Sequence, residues 1–502
     1  MSVYDKTDIV PFAKKVSKAG YTIISSGGTA KELKKAGLVV IPIQDITGNP
    51  ESFDGRMKTI SFQIESGILF DRSNPNHVKE AKDLNIPHID MVVCNFYPFD
   101  TKASIEHIDV GGPTMVRAAA KNHKSVYVVL DPKDYGRVAS DIAHKKKDTS
   151  LRKELAAKAF AYLSWYDSHI AQYLSGESFP EYLPLGGKKV EDLRYGDNPH
   201  QQAAWYLRPH TNSPLAHLKN LSGRGLSVTN LTDINAGIES VRMFSRPAAV
   251  VIKHNTPCGV AVGSTTDEAL ARAIEADPVS AFGGVIILNK KIDAKTAEII
   301  GQFKKDKQSH LDIIAAPDVQ KDAQKILTEV RKTTGIYTFG EIPAKRSTNN
   351  QIRWIDGGYA LQTLDNDADT STKGWKVVTK KKPTTAQMKH METAWKFIAR
   401  VKSNAILIVD KDIPMTRGIG TGQTSRIGAA QIALTQAGIY AKGAVLASDA
   451  FFPFPDTVAL AAGYGIAYII QPGGSIRDKD SIQMADEAGM VMVFTGKRVF
   501  WH

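Results

Sequence analysis

Apolar positions recur at helical spacing over residues 8–19, where Ile9, Phe12, Ala13 and Val16 share one face. Pro11 suits the first turn and Gly20 the stop. YTIIS (21–25) then reads as a strand, SGGTAKELKKAG as a short helix ending at Gly37, and LVVIPI as the next strand. MVVCN (91–95) and VYVVL (126–130) are further strands, and 151–175 is helical. This alternation predicts an α/β unit with a mostly parallel sheet and helices on both faces.

The character changes at 180–201, PEYLPLGGKKVEDLRYGDNPHQ, where Pro and Gly mark a linker. A boundary near residue 187 gives domains of 1–187 and 188–502. Strand candidates in the second part are AAVVIK, GVIILN, DIIAA, WKVVT, AILIVD, GAVLAS, AYIIQ and VMVF, with helices over 386–401 and 457–462. Its size predicts two subdomains. Residues 343–350 and 364–374 read as polar loops, and there is no short-period repeat.

Composition narrows the class. At 42% hydrophobic and 23% charged, the chain of 502 residues is ordinary for a globular protein. No apolar run is long enough to span a membrane, and MSVYDKTDIV has no secretory pattern. Two cysteines, Cys94 and Cys258, make no disulfide framework, so a reducing cytoplasm is expected. The net charge of +12 raises a nucleic-acid partner, but the Lys and Arg are scattered. The densest runs, 145–147 and 380–382, sit in loop-like stretches without interleaved aromatics. A basic balance also suits small anionic substrates.

Several loops carry candidate chemistry. SSGGTAKEL (25–33) turns a strand into a helix through Gly27 and Gly28, a phosphate cradle or a plain tight turn. DVGGPTMVRAAAKNH (109–123) repeats the device, with Arg117 and Lys121 one turn apart. FDGRMKTI (53–60) gathers Arg56, Lys58 and Thr59, suited to phosphate or an oxyanion. LRYGDNPHQQ, DPVSAFGG, GIGTGQTSRIGAA, SDAFFPFPD and QPGGSIRD are further small or polar loops. VIKHNTPCGV (251–260) ends a strand on Lys253 and His254, before a turn containing Pro257 and Gly259. The glycine spacing GxGxG at 418–422 excludes a dinucleotide fingerprint. Pro257-Cys258 has no second cysteine and no H-E-x-x-H exists, so no zinc centre is expected. Clustered loops after strands predict an enzyme acting on an anionic, phosphorylated heterocycle.

In order along the chain, SVYDKT, SGGTAKEL, DGRMKT, CNFYPF, IDVGGPTMVRAAAKNH, FAYLSWYD, LRYGDNPHQ, KHNTPCGVA, DPVSAFGG, VKSNAI, GQTSRI, SDAFFPFPD and QPGGSIRD resemble the bifunctional purine biosynthesis family. That family joins AICAR transformylase to IMP cyclohydrolase. The resemblance implies a methylglyoxal-synthase-like N-terminal domain that closes the inosine ring. It implies a cytidine-deaminase-like C-terminal domain, without zinc, that transfers a formyl group from 10-formyltetrahydrofolate. It also implies a homodimer with the transformylase site at the interface, no nucleic-acid or membrane partner, and no required metal; a monovalent cation is left open.

For formyl transfer the resemblance implies His254 as proton acceptor, with Lys253 and Asn404 stabilising the oxyanion. Arg194, Tyr195, Gly283, Asp312, Arg426 and Arg498 match nucleotide-side positions. Ile427, Phe451, Asp456, Gln471 and Pro472 match folate-side ones. For ring closure it implies Lys58, Tyr97, Asp109 and Lys121, with Lys121 as the main proton shuttle. Asp5, Lys6, Ser26, Gly27, Gly28, Thr29, Arg56, Thr59, Cys94 and Asn95 would hold the nucleotide. The chain departs from the family pattern at ISFQIES (60–66), which has no histidine or proline, and its first strand is shortened. A transformylase with a weakened cyclohydrolase half is the competing expectation.

Overall fold

The computed structural model describes residues 1–144, 148–209, 211–305, 310–346, 350–365 and 371–502. The lysine run at 145–147 and parts of the loops at 343–350 and 364–374 lie outside the described residues. The chain separates into two compact units, one over Met1–Lys188 and one over Lys189–Leu207 with Thr211–His502.

In the first unit, Ser2–Val3, Met91–Asn95 and Tyr127–Val129 form a parallel sheet in that order. A separate parallel pair joins Ile23–Ser25 to Val40–Pro42. The short first strand pairs only with Cys94 and Asn95. Between the edges Ile23–Ser25 and Met91–Val93 lies a cavity of about 480 Å³. Helix Ile9–Lys18 buries Ile9, Phe12, Ala13 and Val16, the face its periodicity specifies. Helix Gly111–Lys121 and the long helix Thr149–Leu174 pack against each other and the sheet. The ISFQIES segment forms helix Phe62–Leu69, capped by the Ser61 hydroxyl accepting from Ile64 N. Its Glu65 has a buried oxygen without a hydrogen-bond partner, and burial pushes that carboxyl up.

The second unit holds two six-stranded sheets among its described residues. The first runs Thr256–Val262, Ala248–Lys253, Gly284–Leu288, Leu311–Ala316, Gly335–Thr338, Lys219–Ser222. The second runs Thr416–Gly420, Ile406–Val409, Val445–Ser448, Tyr468–Gln471, Val491–Phe494, Lys376–Val377. Each begins with an antiparallel hairpin, continues through three parallel strands and ends on an antiparallel edge. The two halves are one topology used twice. A repeat of this length leaves no short sequence period to see.

The halves meet along their hairpins. Val260 N donates to Thr416 Oγ1 at 3.0 Å, and Val262 N to Pro414 O at 2.9 Å. Matching glycines permit the arrangement. A Cβ on Gly259 would lie 2.0 Å from Ala273 O, and one on Gly418 would lie 2.0 Å from Ala433 O. Two segments depart from the sequence reading. Gly418, Ile419 and Gly420, read as the start of a loop, belong to the buried strand Thr416–Gly420. Residues 350–363 form a hairpin, Asn350–Ile355 with Gly358–Thr363, turned at Gly357 with φ 74°.

Gly418→Ala forces this strand off its helix and is expected to cost about 1–3 kcal/mol. The measurement is the denaturation midpoint, which should fall without loss of the native denaturant slope.

Candidate active site

In the first unit a cleft of about 530 Å³ is lined by Lys6, Ser26, Gly27, Gly28, Thr29, Arg56, Lys58, Thr59, Asn95, Tyr97 and Asp109, among others. Helix Gly27–Lys35 opens at its floor, and the Ser26 side chain makes no capping bond. Its free N–H groups and dipole therefore face the cleft, as an anion site needs. Two cations flank it. A Cβ on Gly28 would lie 3.7 Å from Lys6 Nζ, and one on Gly27 3.9 Å from Lys58 Nζ. Lys58 is held by Glu51 at 2.7 Å, while Arg56 pairs with Glu106.

Asp109 lines the same cleft just before helix Gly111–Lys121. Its Oδ1 accepts from Gly112 N at 2.8 Å, and its own N–H donates to Tyr166 Oη at 2.8 Å. Burial pushes the Asp109 carboxyl above the ordinary range, against the pull of the Gly112 and Tyr97 backbone N–H groups. A carboxyl biased toward its neutral form is suited to proton donation.

Other expected residues play different parts. Thr29 Oγ1 exchanges bonds with the Val3 N–H and carbonyl, so it fastens the first strand. Asn95 Oδ1 accepts from Tyr4 N and Asp5 N, shaping the loop beside the cleft. Asp5 is taken up by Thr7, and Cys94 is buried. Lys121 is not brought to the cleft. It is exposed and ends an eleven-residue helix whose first residues line the cleft, about 15 Å away.

In the second unit, strand Ala248–Lys253 ends at a two-residue turn, His254–Asn255, with φ of 55° and 61°. The strand resumes at Thr256, so Pro257 and Gly259 are strand residues rather than the turn itself. Lys253 Nζ donates to Phe282 O at 2.9 Å, beside Gly283, whose N–H reaches His310 O at 2.7 Å. His310 Nε2 and Arg224 Nη1 each lie 2.9 Å from Asp312 Oδ1. Asn230 joins this group to Arg194, accepting from Arg194 Nη2 at 3.1 Å and reaching Asp312 Oδ2 at 3.4 Å. The Arg194 guanidinium lies 4.9 Å from the Tyr195 ring centroid. Sequence reasoning missed Asp233, Asn230 and Arg224, whose surroundings offer no motif.

The second half supplies Asn404. Its Oδ1 accepts from Arg426 Nη2 at 2.8 Å and its Nδ2 donates to Gln423 O at 2.9 Å, leaving a second Nδ2–H for a ligand. Arg426 is buried and also bonded to Asp449, Ser448 and Ala405 O, so it orients Asn404. Phe451, Asp456, Gln471 and Pro472 follow strands Val445–Ser448 and Tyr468–Gln471 at their carboxyl ends. Gln471 Oε1 accepts from Gly473 N, and Asp456 Oδ1 from Thr457 N. Ile427 stands in the first turn of helix Arg426–Ala437, and Arg498 lies over the Phe500 ring.

The halves differ in which sheet end they use. Lys253, His254, Gly283 and Asp312 lie at the amino ends of the parallel strands in the first half. Asn404, Phe451 and Gln471 lie at the carboxyl ends in the second. The expectation that all such loops follow strands is therefore corrected: DPVSAFGG precedes its strand, Gly284–Leu288. Among the described residues no group of three or more His, Cys, Asp or Glu could hold a metal ion. No described helix is long and apolar enough to cross a membrane.

These features define a two-unit α/β enzyme with an anion cleft in one unit and an imidazole–cation–carboxamide set in the other. The AICARFT/IMPCHase bienzyme family model matches residues 119–436, and the MGS-like domain model matches 8–123. The chain is 44% identical over 515 aligned positions to the bifunctional purine biosynthesis protein PurH of Oceanobacillus iheyensis, covering 100% of this chain and 99% of the relative. It is 45% identical to the PurH proteins of Bacillus cereus strain 03BB102 and Shouchella clausii, with the same coverage. A solved structure titled "Crystal structure of ForH" is 33% identical, covering 34% of this chain and 93% of that one, with TM-score 0.32. The chain belongs to the AICARFT/IMPCHase family, the bifunctional AICAR formyltransferases and IMP cyclohydrolases of purine biosynthesis.

Asp109→Asn keeps the acceptor for Gly112 N and removes a desolvated charge. It should not lower the melting temperature at pH 7. A raised carboxyl pKa makes the native state gain stability as pH falls, so any advantage of the amide shrinks toward about pH 4. Melting curves at both pH values check this, and ring closure should fall at least about a hundredfold.

Proposed function

We propose that Lys189–His502 carries formyl transfer from 10-formyltetrahydrofolate to AICAR, and that Met1–Lys188 closes formyl-AICAR to IMP. The observation that carries the reading is the division of chemistry between the units. One unit has a helix N-terminus flanked by Lys6 and Lys58, in a cleft that Asp109 also lines. The other has His254 and Lys253 on one half-sheet and Asn404 on its repeat.

In formyl transfer the AICAR amine attacks the formyl carbon of the folate. Its lone pair is delocalised into the ring, so it needs His254 to take the proton as the new C–N bond forms. Lys253 and the second Nδ2–H of Asn404 stabilise the oxygen that gains charge. Arg194, with Tyr195, and the Asp312 group hold the nucleotide. Gly283 and Arg498 belong to the nucleotide side, and Arg426 acts through Asn404. Ile427, Phe451, Asp456, Gln471 and Pro472 form the folate side. The cytidine-deaminase-like description of this unit rests on the resemblance, and no step calls for zinc.

Ring closure is intramolecular. The carboxamide nitrogen attacks the formyl carbon and water leaves, so orientation contributes most of the rate. The phosphate sits on Ser26, Gly27, Gly28 and Thr29 with Lys6, Arg56 and Thr59; Asp5, Cys94 and Asn95 shape the adjoining loop. Lys58, Tyr97 and Asp109 polarise the reacting groups and move the proton. Lys58, which lines the cleft, is the proton carrier in this reading, whereas the role for Lys121 rests on the resemblance alone. The working form is a homodimer, as the resemblance implies, and two free cysteines suit a reducing cytoplasm.

His254→Ala should lower formyl transfer about 10²–10⁴-fold and leave closure of supplied formyl-AICAR unchanged. Lys58→Met should do the reverse, with Lys121→Met changing ring closure no more than about threefold. Separate assays of the two half-reactions decide. Retained formyl transfer in His254→Ala removes the base assignment, and a large loss in Lys121→Met returns the shuttle to that residue.

A further inference from the structure

The residue read as the base sits in an awkward backbone. His254 and Asn255 both take left-handed conformations, and neither is glycine. Something must hold the turn, and the holder is a carboxyl. Asp233 Oδ1 accepts the Asn255 N–H at 2.6 Å. Asp233 stands on helix Val228–Val241, three residues after Asn230, and only 5% of it is exposed.

The charged groups facing Asp233 come from three other elements. His254 faces it from the turn, Asp312 from strand Leu311–Ala316, and Lys402 from the segment before Ile406–Val409. Lys253 adjoins the turn, and Asp312 is itself engaged by Arg224 and His310. Burial pushes the Asp233 carboxyl up, while the Asn255 N–H, His254 and Lys402 draw it down. No step of the transfer described above uses this carboxyl.

We propose that Asp233 is a positioning residue for formyl transfer, which fixes the His254–Asn255 turn and sets a carboxylate beside the imidazole. The proposal rests on His254 being the base. During attack the amine N–H bond breaks and its proton goes to the imidazole, whose new positive charge an adjacent carboxylate stabilises. Asp233 also ties the base to the nucleotide-side group, because Asn230, on the same helix, bonds Arg194.

The test compares Asp233→Asn, which keeps the acceptor and removes the charge, with Asp233→Ala, which removes both. Formyl transfer is followed as kcat and KM for AICAR in both variants. The expected result for Asp233→Asn is a kcat about tenfold lower with a KM within about twofold, a split that a merely structural role would not give. Asp233→Ala should lose about a hundredfold in kcat. Melting curves identify a variant that does not fold; should Asp233→Ala be one, Asp233→Asn alone decides. An Asp233→Asn enzyme with unchanged kcat, or with kcat and KM altered together, overturns the proposal. His254→Ala, run alongside, separates the two readings. If it stays active the base assignment fails, whereas an inactive His254→Ala beside an unaltered Asp233→Asn removes Asp233 alone.

Discussion

One carboxylate with no solvent contact organises the second unit. Asp449 is fully buried and receives Arg426, the Ser403 hydroxyl and the Ala405 N–H. Its carbonyl accepts from Val499 N. A buried charge is tolerable only when paired and hydrogen-bonded. Here each requirement also fixes a piece of the site: the start of helix Arg426–Ala437, the loop carrying Asn404, and the chain that leads to Arg498. Removing Arg426 would leave Asp449 unpaired and Asn404 unoriented at once. That coupling explains why an arginine matching a substrate position is largely occupied by protein.

The repeated topology makes a site from unlike ends. Two copies of the same sheet meet edge to edge along their hairpins, held by Thr416 and by glycines that admit a helix backbone. The first copy presents the amino ends of its parallel strands, the second the carboxyl ends. In the proposed reading, a base and a cation from one copy work with a carboxamide from the other. Formyl transfer to a delocalised amine is close to balanced, whereas ring closure with loss of water draws the product onward. Joining both activities in one chain therefore has a chemical reason.

Much of the frame was legible in the sequence. The buried face of Ile9–Lys18, the apolar strands and the helix after Gly111-Gly112 follow from periodicity and turn chemistry. Strand Thr416–Gly420 did not, because small residues chosen for helix contact look like a loop. The hairpin at 350–363 mixes apolar and polar residues without a clean alternation and buries neither face, so no strand period marks it. His254 stood out as an imidazole ending a strand, but Asp233 lies in an ordinary helical segment, and only the fold brings it to the turn. Lys121 shows the opposite limit. Its one-turn spacing from Arg117 was correct for a helix, yet spacing along a helix cannot tell which end meets the cleft.

The most direct measurement is the identity of the product formed from AICAR and 10-formyltetrahydrofolate by the purified protein, read by mass spectrometry. The account predicts IMP, with formyl-AICAR passing through without accumulating, because the chain matches bifunctional relatives along its whole length. Formyl-AICAR that builds up without IMP would contradict it, and would mean that the departure at residues 60–66 has cost the first unit its chemistry.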